Sequence, residues 1–334
     1  MDTSKSLTVS EPSSRALARV PSIALALGGG GARGLAHVLM LEAFDELGIK
    51  PKIIAGTSIG AIYGAAYASG LSAREIRAHT EETLTARLDL LRDLVASRTE
   101  GLSRIWNLFS ASNALLAPGV LLDLILPSRV KRDFSSLPIP LKVVASDFYG
   151  QEQVVFTEGP LRRAVAASMA LPVIFEPVVV DGRALIDGGL TNPLPFDLLS
   201  GEADIVVAID VTGVPVPSDR RPHPSALEAL FATSFLFERS IIREKLKSRQ
   251  PDIYIEAGTG AFQILDFLKV QEIMKAAEPA KTKLKAQLQR VLHAETVAAV
   301  VTRDESTAGT ASKPPAEAKR RRLLARLKPA SRKT

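Results

Sequence analysis

The chain has 334 residues, 46% of them hydrophobic and 23% charged, and no cysteine, so it can bury a sizeable core but can form neither disulfides nor thiolate metal sites. No stretch reaches the roughly 18 uninterrupted apolar residues of a spanning helix, and the polar first twenty residues lack the apolar run of a signal peptide; a cytoplasmic protein is expected, with export by another route left open. The formal charge of +6 belongs to the tail: nine basic residues against Glu317 give Lys313–Thr334 about +8 and leave about −2 for the rest, so nothing suggests a nucleic-acid groove in the folded body.

Residues 1–20 are Ser-rich and aperiodic and read as a disordered leader. The apolar run Ile23–Leu27 ends in four glycines and is followed by helical spacing at Leu35, Val38, Leu39, Leu41, Phe44 and Leu47, closed by Gly48. A second strand, Ile53–Ala55, runs into Gly-Thr-Ser-Ile-Gly and then an Ala-rich helix, 61–69, closed by Gly70. Two strand-to-helix units this close together imply parallel strands joined by right-handed crossovers, hence a helix-covered α/β sheet. Residues 72–99 carry a long amphipathic pattern, and 100–118, with the only tryptophan, Trp106, have no clean period. Within 71–140 a lid or substrate gate is expected. A helix is predicted over Val120–Val130, with strands at Leu141–Ala145, Gln153–Phe156, Val178–Val180 and Ile205–Ile209. The last is apolar on both faces and reads as central. Past the Pro-rich stretch 213–224, helices are predicted over 225–248 and 269–294, with a short strand at Asp252–Ile255 between them. Residues 300–334 read as a disordered basic tail.

Gly56-Thr57-Ser58-Ile59-Gly60 has the Gly-x-Ser-x-Gly form between a strand and a helix, where a sharp turn lifts a serine above the sheet edge. A capping serine at a helix start is the plainer alternative. The loop Gly28–Gly34 can expose backbone N–H groups to the oxyanion formed when a serine attacks an ester. It also fits a phosphate loop, but a dinucleotide site wants an acidic residue after the second strand, where this chain has Gly56, Thr57 and Ser58, and Gly34 is followed by Leu35 rather than the lysine of a Walker loop. Serine needs a proton acceptor. His79, His223 and His293 sit in unpromising contexts, and His37, just after the glycine loop, reads better as a structural histidine. Asp187, in Ile186-Asp187-Gly188-Gly189, remains, provided that it touches Ser58 and is partly desolvated. Its alternative is a hairpin turn, for which Asp-Gly is a strong signal.

Together these segments resemble the patatin-like phospholipase family. Gly29 to Gly34 is similar to that family's oxyanion loop, Gly56 to Gly60 to its nucleophile elbow, and Asp187-Gly188-Gly189, continued by Asn192-Pro193, to its aspartate block. Ala167 to Pro172, with Phe175 and Pro177, is similar to its Ala-Ser-x-x-x-Pro segment. The resemblance covers about residues 22–212 and implies a three-layer α/β/α sandwich with a mostly parallel central sheet. It implies a Ser58–Asp187 dyad without histidine, Gly29, Gly30 and Gly31 as oxyanion donors, and a lipid or acyl-ester substrate, with neither cofactor nor metal. Arg33 is expected to close the loop or to contact a head group. The expected domain spans 21–299, with a motif core at 22–212 and a helical extension at 225–295. Lys313–Thr334 is expected to touch anionic membranes peripherally. A nucleotide-binding α/β protein and a low-turnover hydrolase-like regulator are the rival readings. Head group, acyl-chain preference and oligomeric state are not legible.

Overall fold

Five-residue runs such as Ile23–Leu27 and Ile53–Thr57 are buried along their whole length, so layers of chain must cover both faces of the sheet they form. The computed structural model describes residues 20–86, 117–214 and 226–307. The strands are β1 (Ile23–Leu27), β2 (Ile53–Thr57), β3 (Leu141–Asp147), β4 (Glu152–Phe156), β5 (Val178–Val180), β6 (Arg183–Asp187), β7 (Ile205–Asp210) and β8 (Ile253–Glu256). They form one sheet in the order β5-β6-β3-β2-β1-β7-β8, with β4 pairing β3 off that path. Strands β3, β2, β1, β7 and β8 run parallel, and β4, β5 and β6 add antiparallel pairings at one end. The chain divides into a unit Ser22–Gln289, which holds the whole sheet, and a second unit of residues 1–21 and 290–334, whose described part is helical from Arg290 to Thr307.

The helices are α1 (His37–Glu46), α2 (Ile59–Ala68), α3 (Ala73–Ala86), α4 (Pro118–Ile125), α5 (Leu161–Ser168), α6 (Ala226–Ser248) and α7 (Val270–Thr307). On one face of the sheet Ala24, Ala26, Ala55 and Ala208 leave room for Leu194, Phe196 and Leu199 and for Ile242 of α6. On the opposite face the larger Leu27, Ile54 and Leu141 surround Gly64 of α2. Small residues on one face and large ones on the other set how closely each layer packs.

Several boundaries differ from expectation. The helix predicted over Val120–Val130 spans Pro118–Ile125, because Pro118 opens its first turn and Pro127 forces the preceding Leu126 to φ −89° and ψ 125°. Helix α5 was not anticipated, although Leu161, Ala164, Val165 and Ser168 repeat at helical spacing and are all buried. The last helix continues past 294 to Thr307. Strand β7 is interior, between β1 and β8. The Asp-Gly hairpin turn is Asp181-Gly182, with φ of 49° and 78°, and not Asp187-Gly188. Residues 300–307, expected to belong to the disordered tail, are helical, whereas residues 1–19 of the leader, the Trp106 segment, His223 and residues 308–334 lie outside the described residues.

Strand β3 has an unusual task. It pairs with β2 over Leu141–Val144, with β6 over Ala145–Asp147 and with β4 over Val143–Asp147. A strand has two edges, and β4 overlaps both of the other partners, so β2 and β6 must share the opposite edge end to end. Thr57 stands opposite Val144 and Asp187 opposite Ala145, so the register brings the end of β2 and the end of β6 together. This junction leaves no space at Gly188, where an added Cβ would stand 2.1 Å from the Val144 carbonyl oxygen. Gly188→Ala is expected to lower unfolding stability by about 3 kcal/mol, measured by urea titration; an unchanged midpoint would refute the close approach.

Candidate active site

Ser58 follows β2 and stands at the N-cap of α2 with φ 54° and ψ −122°, a conformation that a residue with a side chain adopts only under constraint. Its neighbours explain how the turn is held. Gly60 lies so close to β1 that a Cβ there would fall 2.2 Å from the Leu27 carbonyl oxygen. The Ser58 N–H donates to Ser168 Oγ at 2.8 Å, and Ser168 is fully buried at the end of α5. The Ser58 hydroxyl makes no capping bond to its own helix, whose positive end lies beside it.

Ser58 Oγ donates to Asp187 Oδ2 at 2.6 Å. Asp187 Oδ1 accepts from the Gly189 N–H at 2.8 Å, and the aspartate's own backbone is held by Asp187 N–H to Ala170 O and by Ser146 Oγ to Asp187 O. Burial pushes the Asp187 pKa up to about 6, while the hydrogen bonds from Ser58 and Gly189 pull the other way. A carboxyl group titrating near 6 is ionised at neutral pH yet more basic than an ordinary aspartate, which suits a proton acceptor.

The glycine loop lies against this pair: a Cβ on Gly29 would be 3.5 Å from Ser58 Cβ. Its amides are not equivalent. Gly28 and Gly29 N–H donate to Ile209 O and Pro193 O, and Ala32 N–H to Ile264 O, whereas Gly30 and Gly31 N–H have no hydrogen bond among the described residues. Of the three expected donors, then, Gly29 is already engaged and serves to fix the loop. Arg33 is 6% exposed, and its guanidinium donates to Phe262 O at 2.7 Å and to Thr212 O, with its charge over the Phe235 ring at 5.1 Å. Those contacts fasten the loop to the segments carrying Thr212 and Phe262 and leave the guanidinium buried. His37 is fully buried, donates through Nε2 to Gly28 O at 2.9 Å, and is pushed down to about 4 by burial, which keeps it neutral. It supports the loop and is not bonded to Ser58.

Two residues near the pair carried no assigned role in the sequence. Ser168 was visible only as part of the Ala-Ser-x-x-x-Pro segment. Glu238 of α6, buried beside Gly189, had no signal at all. Among the described residues no group of three or more His, Asp or Glu side chains is placed to hold a metal ion, and no helix is long and apolar enough to cross a membrane.

Residues 25–200 match the family model described as patatin-like phospholipase, a match over more than half of the chain. The chain belongs to the patatin-like phospholipase family. It is 36% identical over 235 residues to an NTE family protein of Mycobacterium tuberculosis, covering 68% of this chain and 60% of that one. It is 38% identical over 196 residues to patatin-like phospholipase domain-containing protein 7 of Rattus norvegicus, covering 57% of this chain and 14% of that one. The crystal structure of VipD from Legionella pneumophila aligns at 17% identity and a TM-score of 0.42, over 80% of this chain and 67% of that one. The chain thus spans about three fifths or less of the length of these two curated relatives. Its central sheet, mixed but mostly parallel and covered by helices, is the patatin-like fold.

Removing the Ser168 hydroxyl would leave the Ser58 N–H buried without an acceptor. Ser168→Ala is expected to cost about 1–3 kcal/mol of stability and to lower ester turnover at least about tenfold, read by thermal unfolding and initial rates. Wild-type values for both would remove Ser168 from the site.

Proposed function

We propose that this member of the family is a serine acyl hydrolase that cleaves carboxylic ester bonds of lipids through Ser58 and Asp187. The observation that carries the reading is the 2.6 Å contact between Ser58 Oγ and Asp187 Oδ2, made at a strained turn beside unengaged amides. In the first step Asp187 Oδ2 accepts the Ser58 proton as Oγ attacks the acyl carbon. The carbonyl oxygen becomes an oxyanion, and the Gly30 and Gly31 N–H groups bind it. Collapse expels the alcohol portion, which takes the proton from Asp187 and leaves an acyl ester on Ser58. Water then attacks that ester, giving its proton to Asp187, and the second collapse releases the fatty acid as the proton returns to Ser58. Residues 21–299 form the hydrolase domain in this reading.

Because Asp187 must be ionised to accept a proton, the rate is expected to fall as pH drops through about 6. Fluorophosphonate labelling is expected to modify Ser58 alone, Ser58→Ala to abolish turnover, and Asp187→Asn to lower kcat/KM at least about a hundredfold. Undiminished hydrolysis by either variant, or a label elsewhere, sinks the dyad. Absence of turnover by the wild type on phospholipid, lysophospholipid and short-chain esters would favour the hydrolase-like regulator instead.

The Lys313–Thr334 segment, at about +8, supports a peripheral role at anionic membranes, each basic residue near such a surface contributing about 1 kcal/mol. Full-length protein is expected to sediment with anionic liposomes and a chain ending at Ser312 to remain in solution; equal binding would dismiss this role.

A further inference from the structure

Glu238 takes no part in the chemistry above, yet it is buried next to it. It reaches inward from α6, is 4% exposed, and its Oε2 has no hydrogen-bond partner among the described residues. Gly189 locates the group. A Cβ added at that glycine would stand 2.9 Å from Glu238 Oε1 and 3.1 Å from Asp187 Oδ1, so two carboxyl groups flank one residue whose amide already serves Asp187. The two oxygens are therefore separated by no more than those two distances laid end to end.

The charges that reach Glu238 come from three other elements: Asp187 at the end of β6, Asp210 at the end of β7, and Arg33 in the glycine loop. Beside it on α6 stands Arg239, whose charge acts on Arg33. Two neighbouring carboxyl groups shut away from water do not both ionise at neutral pH. Asp187 receives hydrogen bonds from Ser58 and Gly189 that favour its charged form. Glu238 Oε2 receives none, so Asp187 gives up its proton first.

We infer that Glu238 is a positioning residue that stays protonated while Asp187 works, and that its ionisation at higher pH disables the site by drawing the Arg33 guanidinium off the Thr212 and Phe262 carbonyls. This rests on the acyl-hydrolase reading. Burial and the Asp187 charge both raise the Glu238 pKa well above the ordinary carboxyl range, in keeping with this order. Arg33 is the cation whose field opposes that rise, and its guanidinium is committed to the carbonyls of Thr212 and Phe262. While Glu238 is neutral, the guanidinium keeps these two carbonyls, with Asp210 and Asp266 acting on it only through their charge. A buried carboxylate without a partner would compete, because a charge-assisted bond is stronger than bonds to neutral carbonyls. Without its clamp the loop no longer presents the Gly30 and Gly31 amides.

The test compares full-length wild type and Glu238→Gln from about pH 5 to about pH 10 on a short-chain p-nitrophenyl ester, with thermal unfolding at each pH. For the wild type, kcat/KM is expected to rise through about 6 and then to fall, roughly tenfold per pH unit once Glu238 ionises. Glu238→Gln is expected to keep the acid limb and lose the alkaline one. Thermal unfolding has its own sign. The folded protein holds the Glu238 proton to a higher pH than the unfolded chain does, so wild-type stability declines as pH rises from the ordinary carboxyl range to the folded pKa. The Tm advantage of Glu238→Gln should therefore widen as pH rises. A shared alkaline fall, an acid midpoint lower by more than about one unit in the variant, or a Tm difference independent of pH would each overturn the inference. If the wild type turns over no ester at any pH, the hydrolase reading fails, and the Tm comparison still decides whether Glu238 is protonated.

Discussion

The contact between Ser58 Oγ and Asp187 Oδ2 depends on backbone placement far more than on side-chain freedom. Both side chains are short, so neither can search for the other, and a displacement of about 1 Å would break a bond of 2.6 Å. Strand β3 removes the need to search. By pairing first with β2 and then with β6 along a single edge, it sets Thr57 and Asp187 at consecutive register positions. Every other feature of the site is built outward from this junction. Ser168 steadies the amide of the elbow, Ala170 and Ser146 hold the backbone of the aspartate, and the glycine loop is tied down by the carbonyls of Ile209, Pro193 and Ile264.

The same arrangement concentrates unfavourable terms in a small volume. Asp187 sits buried with its pKa pushed up to about 6, His37 is buried neutral with Nδ1 unpartnered among the described residues, Ser58 is strained, and Arg33 and Glu238 are both taken out of water. No cavity filled with apolar side chains would need any of these. The protein tolerates them because the sheet around them is densely covered, with the β1 residues Ala24 to Leu27 at 0% exposure. Stability is thereby exchanged for a pre-set geometry, held by a rigid scaffold.

How much of this was legible in the sequence follows from the range of each interaction. The elbow was legible because a strand, a Gly-x-Ser-x-Gly turn and a helix are local, and their spacing encodes the turn. Strands such as Ile23–Leu27 and Val178–Val180 appear with the bounds that their apolar runs suggest. Asp187 was reached by its flanking glycines and by family resemblance, since no local rule ties it to a residue 129 positions earlier. What escaped notice depends on register between distant segments. That Gly29 spends its amide on Pro193, that Arg33 ends at Thr212 and Phe262, and that Glu238 arrives beside Gly189 are all consequences of sheet order and helix packing. Helix α5 escaped for a different reason: it is only eight residues long, and Leu161 and Val165 share its buried face with alanine and serine, which add little hydrophobic contrast.

The long reach of the Arg33 clamp has a consequence for how the protein comes into being. Its acceptors, Thr212 and Phe262, are synthesised long after the glycine loop that they secure, and Asp187 long after Ser58. A nascent chain emerging from the ribosome therefore carries Ser58 without Asp187 and the glycine loop without a fastening until most of the domain has been made. Premature or broken-off products lack both contacts, which arrive only with the finished fold.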